Sequence, residues 1–230
     1  MKIMTFNTQH CLNFNTKKID FKSFSREILF HNADITGLNE MRGFGPLPGF
    51  TAQTERLGKL TGMNYYFAKA INVAGLAPYG NGILSKFPIV SAETIGIPDP
   101  TNKTGTETYE TRCVLKAVID AVRKYTVLVT HMGLNKDERE NAVKVLLDNA
   151  PSENCIIMGD FNCLPDCEEL TPLFERYNCS DVSVPTFPSD APRIKIDYIF
   201  TSKDITVSDK AVSENIVSDH RSMWIEVKEN

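Results

Sequence analysis

The chain has 230 residues, with 25 Lys and Arg against 29 Asp and Glu for a net charge of −4, and it is 42% hydrophobic and 23% charged. This composition excludes a disordered or fibrous chain, and no apolar run approaches the roughly 18 residues that a membrane helix needs. Mild acidity argues against holding nucleic acid by bulk charge, although a local basic patch acts independently of the net sign.

A chain this long hides roughly 70% of its unfolded surface, enough for one sizeable domain over residues 1–230 without a disulfide or metal staple. It opens on Lys2-Ile3-Met4-Thr5-Phe6-Asn7, which reads as a strand. The charged head, apolar core and cleavage site of a signal peptide are missing from it, so a cytoplasmic location is expected. Strands follow at Ile3–Asn7, Ile35–Asn39, Tyr65–Ala70, Gly82–Ser85, Cys113–Asp120, Tyr125–Thr130, Cys155–Gly159, Ile196–Thr201 and Met223–Val227. Helices are predicted over Phe21–Asn32, Glu55–Thr61 and Lys136–Ala150. The first puts Phe21, Phe24, Ile28 and Leu29 on one face, with Lys22, Ser25 and Arg26 turned outward. The third has a stripe of Ala142, Val143, Leu146 and Leu147, preceded by Asn135 as N-cap. Cys113–Asp120 and Tyr125–Thr130 are spaced as a hairpin. Gly43–Gly49 and Pro98–Gly105 are expected to be loops.

Strands alternating with helices, but with hairpins among them, imply a mixed α/β sandwich with helices on the outer faces. A purely parallel doubly wound sheet is the lesser alternative. Neither G-x-G-x-x-G nor G-x-x-x-x-G-K-[ST] occurs, so those nucleotide-cradling loops are absent. The six cysteines (Cys11, Cys113, Cys155, Cys163, Cys167 and Cys179) are expected to be free thiols. Cys163 and Cys167 resemble half of a zinc site, but no second pair at ligand spacing accompanies them.

Polar residues gather at five strand ends. Asn7-Thr8-Gln9-His10 follows the first strand, and Asn7 and Gln9 share a face of an extended chain. Leu38-Asn39-Glu40 closes a buried strand with a carboxylate, which is costly unless it is solvated, paired or bound to a cation. Thr130-His131 ends another apolar run. Gly159-Asp160-Phe161-Asn162 offers a carboxylate and an amide on one face, the oxygen donors that a hard cation takes. Near the C-terminus, Arg193, Lys195 and Asp197 alternate along one strand, and Ser218-Asp219-His220 precedes the last. A carboxylate accepting from one ring nitrogen would fix the tautomer of that histidine. Taken singly they have ordinary readings: a turn at Asn7, a surface Glu at Glu40, a satisfied polar residue at His131 and a hydrated loop at Ser218–His220. Together they describe a metal-and-histidine phosphoester site, and neither G-x-S-x-G nor H-E-x-x-H is present to support other hydrolase chemistry.

Asn7, Leu38-Asn39-Glu40, Tyr79-Gly80-Asn81-Gly82-Ile83-Leu84-Ser85, Thr130-His131, Gly159-Asp160-Phe161-Asn162, Asp197-Tyr198-Ile199-Phe200 and Ser218-Asp219-His220, in that order, resemble the endonuclease/exonuclease/phosphatase superfamily. The resemblance runs from residue 3 to residue 227. It implies a four-layer α/β sandwich, two mixed β-sheets flanked by helices, with the site at one end of the sheets. It also implies a Mg²⁺ cofactor, with Mn²⁺ as the alternative. By similarity Glu40 is the principal metal ligand, with Asn7 beside it and Asp219 nearby. Asp160 orients or deprotonates the attacking water, Asn162 holds phosphate or metal, and His220, held by Asp197, contacts the phosphoryl oxygens. His131 binds phosphate or assists the leaving group. The general base is left open between Asp160 and the Asp197–His220 pair. Asn81, Arg193, Lys195 and Arg112 are the candidates for the substrate phosphate, although a solvent-facing Arg112 is the simpler reading. Gln9 stands where nuclease members often carry an Asp, which lowers the negative charge and puts a second metal in doubt.

The expected substrate is a small or soluble phosphoester, turned over by a monomer. DNA or RNA is the second choice, and a catalytically silent phosphate-binding module the third. Membrane insertion is not expected, because the candidate hairpin Pro98–Thr111 carries only Tyr109 among aromatic residues and the sole Trp, Trp224, lies in the last strand. The apolar segment Phe44–Phe50, close to Glu40 in sequence, is a candidate pocket wall or ordinary packing.

Overall fold

The computed structural model describes residues 1–180 and 183–228. Two mixed six-stranded sheets lie face to face. The strands are β1 (Lys2–Asn7), β2 (Ile35–Arg42), β3 (Asn64–Val73), β4 (Ala77–Ser85), β5 (Ile89–Gly96), β6 (Cys113–Asp120), β7 (Lys124–His131), β8 (Cys155–Asp160), β9 (Asn178–Cys179), β10 (Asp197–Thr201), β11 (Val207–Val212) and β12 (Met223–Val227). One sheet runs β11-β12-β1-β2-β4-β3 and the other β5-β6-β7-β8-β10-β9. In each, a parallel pair, β1–β2 or β7–β8, sits among antiparallel neighbours. Among the described residues no helix is long and apolar enough to cross a membrane.

Three apolar clusters hold these layers. The inner faces of both sheets share one, with Ile3, Ile35, Ile83, Leu115, Val127, Val129, Met158 and Ile225 all buried. The helices α1 (Phe21–Phe30) and α2 (Gln53–Thr61) cover the first sheet through Phe6, Phe24, Ile28, Leu38 and Leu57. The helices α3 (Lys136–Asn149) and α4 (Thr171–Arg176) cover the second through Val114, Leu128, Leu146, Ile157 and Phe200. Each buried Leu, Ile or Phe contributes about 1.5–3 kcal/mol of transfer free energy.

Local signals explain the helix ends. Asp20 caps α1 by accepting from the backbone N–H of Lys22 and Ser23, and Asn135 with Glu138 forms a capping box at α3. Gly62, at φ +71, ends α2 in the left-handed conformation that glycine adopts without strain. The predicted face of α1 needs correction. Leu29 is 49% exposed, whereas Ser25 and Glu27 are buried. Pro172 lies in the first turn of α4, which the apolar pattern did not reveal, and the edge strands β5 and β11 are likewise additions. Both strands expose most of their residues, so they lack the apolar alternation that marks a half-buried strand.

Candidate active site

The polar strand ends converge at one end of the two sheets because register aligns them. In the second sheet His131 of β7 lies beside Asp160 of β8, and Asp160 beside Asp197 of β10. In the first sheet Asn7 of β1 lies beside Asn39 of β2, with Glu40 next in the chain. Glu40 occupies a left-handed conformation, φ +61, where β2 bulges against β4. Such a conformation is strained for a residue with a Cβ and clusters at functional sites. Asn162 does the same after β8, with φ +47.

Asp160 Oδ2 is the pole of the arrangement. Asn7 Nδ2 donates to it at 2.9 Å and to Glu40 Oε1 at 3.1 Å, stitching the two sheets together. His131 Nε2 lies 3.5 Å and His220 Nε2 3.7 Å from the same oxygen. Asp160 Oδ1 accepts from the backbone N–H of Asn162 at 2.9 Å. His220 Nδ1 donates to Asp197 Oδ2 at 2.9 Å. Gly159 brings the strands this close, since a Cβ there would collide with the Thr130 carbonyl oxygen.

The two imidazoles differ in charge. A guanidinium only donates, so Arg112 Nη1, 3.2 Å from His131 Nδ1, makes that nitrogen the acceptor. The ring is then neutral, with its proton on Nε2 toward Asp160. Burial, the Arg112 charge and His220 hold His131 well below its usual range. Burial alone would lower His220 too, but Asp197, Asp160 and Asp219 outweigh it and push the ring up to about 10. Burial pushes the Asp160 carboxyl up to about 7, against the His220 charge and with that of Asp197. Burial also raises Glu40, the amide of Asn7 opposes this, and the Asp219 charge adds to the rise.

The donor set fits a hard divalent cation. The Asp219 carboxylate raises the proton affinity of Glu40, a repulsion that a bound cation would relieve. Asp219 also accepts from Ser218 Oγ at 3.0 Å. Asn7 presents its NH₂ to the carboxylates while its Oδ1 accepts from the Gln9 backbone at 3.1 Å. In this arrangement Asn7 is a bridge between Glu40 and Asp160. Carboxylate and imidazole atoms of Asp160, Asp197 and His220 also lie within 4.8 Å of one another. A ring that carries both protons offers no lone pair, so the Glu40 side is the better match to a cation.

The phosphate candidates divide. Arg112 is 13% exposed in its side chain, pairs with Glu110 at 2.7 Å, and keeps its buried Nε without a partner. This corrects the solvent-facing reading, because the guanidinium points into the site. Asn81 lines the same small cleft as Tyr79, Arg112 and His131. Its amide, however, is spent on Asn39 Nδ2 at 2.9 Å and on the Cys113 carbonyl at 3.0 Å. Lys195 is buried with Nζ 3.0 Å from Met223 Sδ, and Arg193 is exposed in the turn where Phe187 bridges Ile194. Lys195 thus turns its amine toward β12, and Arg193 is exposed ahead of β10, which starts at Asp197. Asn162 ties its side chain to the Met132 carbonyl at 2.9 Å.

Two residues received no role from the motif pattern. Asn39 donates to the Thr130 carbonyl at 2.8 Å and accepts from the Asp160 N–H at 3.0 Å, so it is the strut beneath Asp160. Its signal was an amide inside an otherwise apolar strand. Tyr79 hydrogen-bonds Glu40, and burial followed by the Glu40 charge drives its hydroxyl up.

A family model described as Endonuclease/Exonuclease/phosphatase family matches residues 4–220. Among solved structures, an endonuclease/exonuclease/phosphatase from Beutenbergia cavernae is similar with TM-score 0.82 and 19% identity, over 99% of this chain and 71% of that one. A mannosyl-6-phosphatase from Bacteroides thetaiotaomicron is similar with TM-score 0.75 and 16% identity, over 100% of both chains. The human Nocturnin catalytic domain with bound sulfate is similar with TM-score 0.70 and 17% identity, over 99% and 94%. At these identities the likeness shows the shared sandwich fold. No curated protein matches the chain.

Proposed function

Because the chain belongs to the endonuclease/exonuclease/phosphatase family of hydrolases, we propose that it is a Mg²⁺-dependent phosphoesterase acting on small or soluble phosphoesters. The observation that carries this reading is Asp160 Oδ2, a buried carboxylate oxygen shared by Asn7, His131 and His220. A divalent cation on Glu40, with Asp219 near, would supply Lewis-acid stabilisation of the developing phosphoryl charge.

The protein's own groups do the remainder. With a carboxyl raised to about 7, Asp160 is matched to taking a proton from an attacking water near neutral pH. Asn7 and the Asn162 N–H fix its two oxygens, so the base is held in one orientation. Asp197 keeps His220 charged, and that imidazolium together with Arg112 offers positive charge to non-bridging oxygens in a site shielded from water. His131, neutral with Nε2–H toward the site, donates without adding charge.

A panel of small phosphomonoesters and phosphodiesters, assayed with Mg²⁺ and with EDTA, tests the proposal. Chelator-sensitive phosphate release is expected. Turnover untouched by EDTA would refute the metal role, and nicking of supercoiled plasmid without release from small esters would replace this substrate class with nucleic acid.

A further inference from the structure

Immediately after Asn162 the chain reads Cys163-Leu164-Pro165-Asp166-Cys167, and its two thiols converge. The Cys167 N–H closes a turn on the Leu164 carbonyl at 3.1 Å. The two sulfurs and a Glu169 carboxylate oxygen lie within 4.8 Å of one another. Cys163 Sγ also points at Glu169 Oε1 from 3.8 Å. Arg139 holds that carboxylate at 2.8 Å through Nε and 2.7 Å through Nη2. Its Nη1 reaches back to the Leu134 carbonyl at 2.6 Å and the Asn162 carbonyl at 3.4 Å. Cys163 is buried, whereas Cys167 is half-exposed and open to reagents.

We propose that Cys163 and Cys167 are a thiol–disulfide switch that reports the redox state of low-molecular-weight thiols to the active site next to it. The oxidant is a small disulfide, RSSR. The Cys167 thiolate, its proton lost to solvent, attacks one sulfur of RSSR, and RS⁻ leaves and takes up a proton. The Cys163 sulfur then attacks Cys167 Sγ, and its proton passes to the second RS⁻, which leaves as RSH. Two protein thiols and one RSSR become one intrachain disulfide and two RSH, with two electrons moved to the oxidant.

Position explains why the bond would be felt at the site. Closing it draws Cys163 Sγ from Glu169 toward Cys167, and the preceding residue is Asn162. That residue holds a left-handed backbone, donates its N–H to Asp160 Oδ1, and ties its side chain to the Met132 carbonyl. Arg139 also grips the peptide carbonyl between Asn162 and Cys163. A thiophilic cation on the same three atoms is the competing occupant. Arg139 already neutralises the one carboxylate it would use, which favours the disulfide.

The test treats the whole chain, in a Cys179→Ser background, with oxidised glutathione, then alkylates and weighs it, alongside Cys163→Ser and Cys167→Ser. The parent should lose two alkylatable thiols without retaining glutathione, and dithiothreitol should restore both. Neither single variant should form the internal bond. Oxidation should lower the parent's kcat by roughly 10- to 100-fold, the scale of a small misplacement in an active site, and leave Cys167→Ser unchanged. That activity arm rests on the phosphoesterase reading; the thiol count and mass do not. Retention of both thiols, equal thiol loss in the serine variants, or protection by stoichiometric Zn²⁺ without a disulfide would overturn the switch. A disulfide that forms and leaves kcat unmoved would overturn its coupling to the site.

Discussion

His220 Nδ1 meets Asp197 Oδ2 at 2.9 Å, whereas His131 Nδ1 faces the Arg112 guanidinium at 3.2 Å. Two imidazoles beside one carboxylate therefore hold opposite charge states, one a cation and one a neutral donor. The pH dependence follows. In the proposed mechanism Asp160 acts unprotonated, so kcat/KM should rise as pH passes about 7. His220 acts protonated in it, so the rate should fall as pH passes about 10. The limbs belong to the coupled pair rather than to either group alone. Asp197→Asn should move the alkaline limb to lower pH and cost about 10²–10⁴ in rate, as read from a pH–rate profile of both proteins.

Arg112 should act on substrate binding and on its neighbouring ring. Arg112→Ala is expected to raise KM about 10- to 100-fold, the scale of one lost charge-assisted contact to phosphate. Its charge is one cause of the lowered His131, so an NMR titration of the variant should show that ring taking a proton at higher pH than in the parent.

Glu27 anchors the segment that presents His220. It accepts from Ser222 Oγ at 2.8 Å, Asn215 Nδ2 at 2.8 Å and His31 Nε2 at 3.1 Å. The backbone N–H of Ser213 meets the Ser222 carbonyl at 2.8 Å and closes the loop between them. Burial would raise this carboxyl, but its donors outweigh burial and hold it below the ordinary range. A depressed carboxyl stabilises the fold above its unfolded value and loses that contribution as pH falls through the folded one. Glu27→Gln should lower Tm most at neutral pH, with the difference from the parent closing in acid. Glu27→Ala should cost about 3 kcal/mol by leaving buried donors unpaired. Thermal melts across pH check both.

Gly159→Ala should destabilise the protein by at least about 2 kcal/mol, because φ is +143 there and the added Cβ would meet the Thr130 carbonyl. Urea unfolding of the two proteins measures it.

Much of this site was legible because strand periodicity constrains where side chains go. Glu40, His131 and Asp160 each follow an apolar run, so their placement at a strand end needed no tertiary knowledge. Which ends meet is set by sheet order, and nothing local to residues 155–160 or 197–201 states that β8 pairs with β10. Long-range chemistry misled the reading of α1. Ser25 looks like part of an outward polar face, yet it is buried beside Glu27, whose partners lie as far as 195 residues away in sequence. Arg112 looked solvated for the same reason, since the His131 that it faces comes from the next strand. The edge strands β5 and β11 were invisible because a largely exposed strand carries no apolar period.

The proposed chemistry requires Glu40 to hold a cation beside Asp160. Titrating Mn²⁺ into the protein and following the free ion by electron paramagnetic resonance, with phosphoester turnover measured on the same samples, tests this most directly. The parent should take up an ion near Glu40, and Glu40→Ala should lose both that uptake and the turnover. If Glu40→Ala binds Mn²⁺ and turns substrate over as the parent does, the assignment of the site is wrong.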